Sequence, residues 1–96
     1  MPVTGDRYRA EYAGHRIELV RDNLAKTLSL LVDGDVVARR QRWWPRDLEL
    51  AATLEVDGVQ HALAAYSHVV TVAGWPVRTQ DSIEVDGVPL HLTVVG

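Results

Sequence analysis

Four histidines, three serines and one run of arginines and tryptophans are the residues of this chain that could do chemistry beyond packing. His15, His61, His68 and His91 could ligate a metal through imidazole. No two of them stand at a spacing that puts both on one face of a strand or helix, and no HExxH frame occurs. His61 shares a face with Val59 and Leu63 and reads as a hydrogen-bonded core or rim residue. His91 alternates against Leu90 and Leu92 and reads as exposed. A composite zinc site from His61, His68 and a carboxylate is the weaker reading. Ser29, Ser67 and Ser82 lack a GxSxG elbow or a triad frame, and there is no glycine-rich phosphate loop. No catalytic, metal or cofactor site is expected.

The run "RRQRWWPR" at residues 39–46 is the candidate binding stretch. In a strand the adjacent Trp43 and Trp44 point to opposite faces, one into the core and one outward. The outward ring stands among Arg40, Arg42 and Arg46, where it could pack under a guanidinium, anchor a protein partner or stack a base. Pro45 interrupts pairing and suits a bulge or an edge. Charge bears on the choice. Residues 1–48 carry nine basic and seven acidic side chains, residues 49–96 one basic and six acidic, giving −3 overall. Nucleic-acid affinity comes largely from phosphate neutralisation, so this balance makes nucleic acid an unlikely partner.

The elements that must position these residues are strands. "VDG" recurs at 32–34, 56–58 and 85–87, and Asp-Gly between alternating apolar residues signals a type I′ hairpin. The aspartates have a sufficient role in those turns, and the repetition is shared turn chemistry, not a solenoid. Period-two alternation predicts strands at Arg7–Tyr12, His15–Val20, Thr27–Val32 and Val36–Arg40. Leu48, Leu50, Ala52, Leu54 and Val56 share one face of Asp47–Val56. Val59–Tyr66 pairs back. Val69–Ala73 is a short strand before a Gly74–Pro76 turn carrying Trp75, with an extended piece to Thr79. Ser82–Val85 then pairs with Val88–Val95, in which Val88, Leu90, Leu92 and Val94 form one face. The expected fold is a single all-β domain over residues 1–96, an antiparallel β-sandwich or partly open barrel of about seven to nine short strands linked by Asp-Gly hairpins.

Composition fits an ordinary globular domain with 47% apolar and 24% charged residues. Without cysteine the fold must rest on packing and hydrogen bonds. No secretory signal or membrane-spanning run is read, so a cytoplasmic protein making no membrane contact is expected. Nine arginines to one lysine, with abundant Ala and Val, point to a GC-rich bacterial source.

The order "HRIELV" (His15–Val20), "VDG" (Val32–Gly34), the basic segment Arg39–Trp43 and "SIEVDGVPL" around Ile83–Leu90 resembles a unit of the Fas apoptotic inhibitory molecule family. That resemblance implies an antiparallel β-sandwich that is not an enzyme and acts through protein contacts. The expected function is a protein-interaction module that binds a protein partner or a second copy of itself as a homodimer, with Arg40, Arg42, Trp43, Trp44 and Arg46 at or beside the contact. A nucleic-acid-binding barrel using residues 39–46 and a small-ligand-binding protein are the alternatives.

Overall fold

The segments whose side chains alternate apolar and polar become strands in the computed structural model, the last of them only in two short pieces; the structure describes residues 5–22, 25–41 and 47–95. Among these residues there are nine strands and no helix. They are β1 (Gly5–Tyr12), β2 (His15–Asp22), β3 (Thr27–Val32), β4 (Asp35–Gln41), β5 (Leu48–Val56), β6 (Val59–Val72), β7 (Trp75–Val85), β8 (Val88–Pro89) and β9 (Thr93–Val94). All pairings are antiparallel and form two sheets, β4-β3-β2-β1-β9 and β5-β6-β7-β8, which do not close into a barrel. The fold is an all-β sandwich.

The inward faces are those the alternation dictates. Ile17, Leu19, Leu28 and Leu30 of the first sheet meet Leu48, Leu50, Leu54, Leu63, Ile83 and Val85 of the second in one buried cluster. On β5, Glu49, Ala51, Thr53 and Glu55 are exposed between the core positions. Each fully buried aliphatic side chain is worth about 1.5 to 3 kcal/mol of transfer free energy. Two buried polar groups were not legible as such. Glu18 lies on the outer side of β2, covered by arginines, and Ser29 lies behind Arg39 on β3.

All three Asp-Gly pairs turn as expected, with φ near +50° at Asp33, Asp57 and Asp86 and +80° to +89° at the following glycines. Ala13–Gly14 and Ala73–Gly74 take the same conformation. The second of these corrects the expected Gly74–Pro76 turn. Trp75 and Pro76 belong to β7, and the register shift between Val70 and Thr71 falls beside Pro76. The expected pair of strands at Val59–Tyr66 and Val69–Ala73 is the single fourteen-residue β6, because no turn residue separates them and β7 pairs along both.

The final expected strand, Val88–Val95, is divided. β8 stays with β7, whereas β9 crosses to the other sheet and pairs with β1. Pro89 has no N–H to extend the ladder, and Leu90 donates the last rung to the Ile83 carbonyl at 2.8 Å. Leu90 and Leu92 pack against the core during the crossing, while Val88 and Val94 are exposed. Val59, also expected inward, is exposed beside the Asp57–Gly58 turn.

The sheets are built alike. Ile17 opposes Val32 across β2–β3, and Leu63 opposes Val85 across β6–β7; each pair stands two residues after a histidine and one before an Asp-Gly turn. The shared turn chemistry thus extends to a shared hairpin plan, one copy in each sheet.

Candidate interaction surface

Of the five expected binding residues, Arg40 is described. It is exposed on β4 opposite Leu28, in a shallow cleft lined by Ala38, Arg39, Arg40, Glu49, Leu50 and Ala51 where the β4 edge meets β5. Its neighbour Arg39 donates from Nε to the Ser29 hydroxyl at 3.0 Å. Arg42, Trp43, Trp44 and Arg46 lie outside the described residues.

Three histidines share a local arrangement that alternation alone did not reveal. His15 Nδ1 is 2.7 Å from Asp33 Oδ2, and the Arg16 backbone N–H donates to the other oxygen at 2.9 Å. His61 and the Ala62 N–H hold Asp86 in the same way, at 2.6 and 2.8 Å. His68 and the Val69 N–H hold Asp47 at 2.9 and 2.8 Å. An ionised carboxylate only accepts, so each imidazole donates through Nδ1. The histidine hydrogen bond first, and the backbone N–H next, hold the Asp33 and Asp86 carboxyls below their ordinary value despite some desolvation. Each clip is filled by its own partners. His61 and His68 are seven residues apart on β6 and so face opposite ways. Among the described residues no three His, Cys, Asp or Glu side chains are placed to hold a metal ion. His61 is a partly buried rim residue, with Tyr12 edge-on at 5.6 Å, and His91 is exposed.

The two outer faces differ in charge. On the β4-β3-β2-β1-β9 sheet, Arg7, Arg9 and Arg16 surround Glu18, at 2.8, 3.4 and 3.4 Å from its oxygens. Burial raises the Glu18 pKa, but hydrogen bonds and charge from Arg7 and Arg9 together outweigh it and leave the carboxyl below its usual range. Arg39 stands on the same face, two strands away. Glu11 and Asp22 are the other acids there, so the arginines dominate what solvent meets. The β5-β6-β7-β8 sheet turns Glu49, Glu55 and Glu84 outward around Ala51, Thr53, Ala62 and Ala64. The Glu49 charge first, then burial and Glu84, raise the pKa of Tyr66 in that face.

The β6–β7 hairpin outruns its sheet. Among the described residues β5 begins opposite Ser67 and β8 covers only Glu84 and Val85, so from His68 to Gln80 the two strands form a ribbon with no neighbouring strand there. Its end exposes Trp75 (74%), Val72 (61%) and Val77 (57%), with Val72 and Trp75 directly opposed. Sequence reading placed Trp75 in a turn and passed over it. "VTVAGWPV" alternates apolar residues as the core-facing "SIEV" does, so no local signal marked Trp75 as exposed.

No protein-family model, curated protein or solved structure matches this chain.

Proposed function

We propose that this chain is a non-enzymatic protein-interaction module of the cytoplasm and that the β6–β7 ribbon is its contact element. The observation that carries the reading is the exposed Trp75–Val72 pair, with Val77, at the end of a ribbon that projects past its own sheet. Contiguous exposed apolar side chains on a small domain mark contact surfaces, and tryptophan is the commonest anchor in them. The ribbon also leaves the Gln80–Ser82 edge of β7 without a neighbouring strand among the described residues, so an extended segment of a partner can add to it. The resemblance to the Fas apoptotic inhibitory molecule family implies the same class of activity. The run 39–46 is part of this proposal as a second contribution to binding, through Arg40 and the residues that follow it.

The test is site-specific photo-crosslinking in host cells from position 75, with position 53 on the opposite part of the sheet as control. A discrete protein adduct at 75, absent at 53 and lost with Val72→Ser, is expected. Identical adducts at both positions, or none at 75, overturn the reading. Quenching of tryptophan fluorescence by oligonucleotides at low salt moves the assignment to nucleic acid.

A further inference from the structure

The fold sorts charge that the chain keeps in two halves onto two opposite surfaces. β1 to β4 come from the basic half and β5 to β8 from the acidic half, so apart from the two-residue β9, which crosses to the first sheet, each half supplies one sheet. Arg7, Arg9, Arg16 and Arg39 stand on one outer face; Glu49, Glu55 and Glu84 stand on the other. Glu18 is 2% exposed beneath the arginines, and with Glu11 and Asp22 at the same face it leaves the four arginines in excess by one charge. Among the described side chains of the acidic face no lysine or arginine answers the three glutamates. Between them lie Ala51, Thr53, Ala62 and Ala64, whose short side chains leave room for long arginine stems to lie down.

We infer that the basic sheet of one copy of this chain docks on the acidic sheet of a second copy. Opposite potentials meet only in this arrangement. Basic face on basic face, or acidic on acidic, places like charges together, so a two-fold dimer through either sheet is disfavoured. The molecule's longer extents are 46 and 28 Å, so a sheet face can bury the roughly 800 Å² per partner that a standard interface takes. A contact between two different surfaces is heterologous and leaves a free basic face at one end and a free acidic face at the other. It therefore propagates into short stacks or closes into a ring. This surface is distinct from the β6–β7 ribbon and stands without it.

Light scattering on the full chain tests it. At an ionic strength of about 0.01 M, where charges act over roughly 30 Å, the mean mass is expected to rise with concentration past twice the 10.7 kDa of one chain. At about 1 M salt it falls back to one chain. Glu49→Lys with Glu55→Lys and Glu84→Lys gives a copy basic on both faces, expected to be monomeric at low salt. Mixed with the unaltered chain, it caps stacks and lowers their mean mass. Trp75→Ala is expected to stack normally. A single chain at every concentration in low salt overturns the inference, as does association that survives the glutamate reversal with circular dichroism unchanged. Association lost with Trp75→Ala alone also overturns it and assigns self-contact to the ribbon.

Discussion

Asp33 and Asp86 each take part in three hydrogen bonds at the same place in a hairpin. The carboxylate holds a histidine and the following N–H, and the aspartate's own N–H donates to the carbonyl opposite, at 2.7 and 2.8 Å. Both carboxyls lie below their ordinary value of 3.8. A depressed folded value means that the stabilisation is complete above the unfolded value and is lost as pH falls through the folded one. Resistance to thermal unfolding should therefore weaken below about pH 4, where aspartates take up protons. Asp33→Asn with Asp86→Asn keeps an acceptor oxygen but cannot ionise. It should lower Tm at neutral pH and flatten the acid limb; an acid limb as steep as that of the unaltered chain would refute this role. A second residue-scale prediction concerns Arg21 and Asp81, 2.6 Å apart across the two sheets, the carboxylate almost wholly removed from solvent and the guanidinium side chain 16% exposed. Arg21→Met should cost about 3 kcal/mol by urea unfolding, because it withdraws the guanidinium from a buried carboxylate. Arg21→Met with Asp81→Leu should cost less than the single change.

At the scale of elements, hairpin turns set the strand pairing, and five of them use the same left-handed pair of residues. Ala13 and Ala73 hold φ of 51° and 54°, where an ordinary L-residue is disfavoured by about 1–2 kcal/mol. Asparagine tolerates that region through its short polar side chain. Ala73→Asn should thus stabilise by about 0.5 to 1 kcal/mol, read as a rise of a few degrees in Tm. Gly74→Ala should destabilise by about 1 kcal/mol through the backbone alone, since a Cβ there meets nothing within 4 Å. If Ala73→Asn lowers Tm, the turn is held by something other than its dihedral angles.

At the scale of the molecule, two sheets share one buried cluster, and a chain crossing between β8 and β9 ties them. A cavity made in one sheet should therefore be felt in the other. Leu63→Ala, at a fully buried position of β6, should cost about 2–5 kcal/mol and lower hydrogen-exchange protection in β2 and β3 as much as in β7. Protection lost in the second sheet alone would mean that the sheets open independently. The same architecture leaves the end of the β6–β7 ribbon outside the shared core, which is why Val72, Trp75 and Val77 remain exposed.

By itself the sequence determined what depends on neighbours along the chain. Alternation placed Leu48, Leu50 and Leu54 inward and Glu49, Thr53 and Glu55 outward, and Asp-Gly placed three turns, because strand period and left-handed φ are local properties. Of the site, the chain made the arginines and tryptophans of 39–46 conspicuous, and among those named as binding residues Arg40 alone is described, exposed at a cleft edge. What only the tertiary structure decided depends on residues far apart: the division of the last strand between sheets, the pairing of His15 with Asp33 and His61 with Asp86, and the burial of Glu18 under three arginines. Two further features belong to this class. Trp75 is exposed because β5 and β8 stop short of it, and a modest imbalance of charge along the chain becomes two opposed faces because β1 to β4 form one sheet and β5 to β8 the other, with only the short β9 crossing over. Strand ends and sheet membership are set by packing across the sandwich, and no local pattern encodes them.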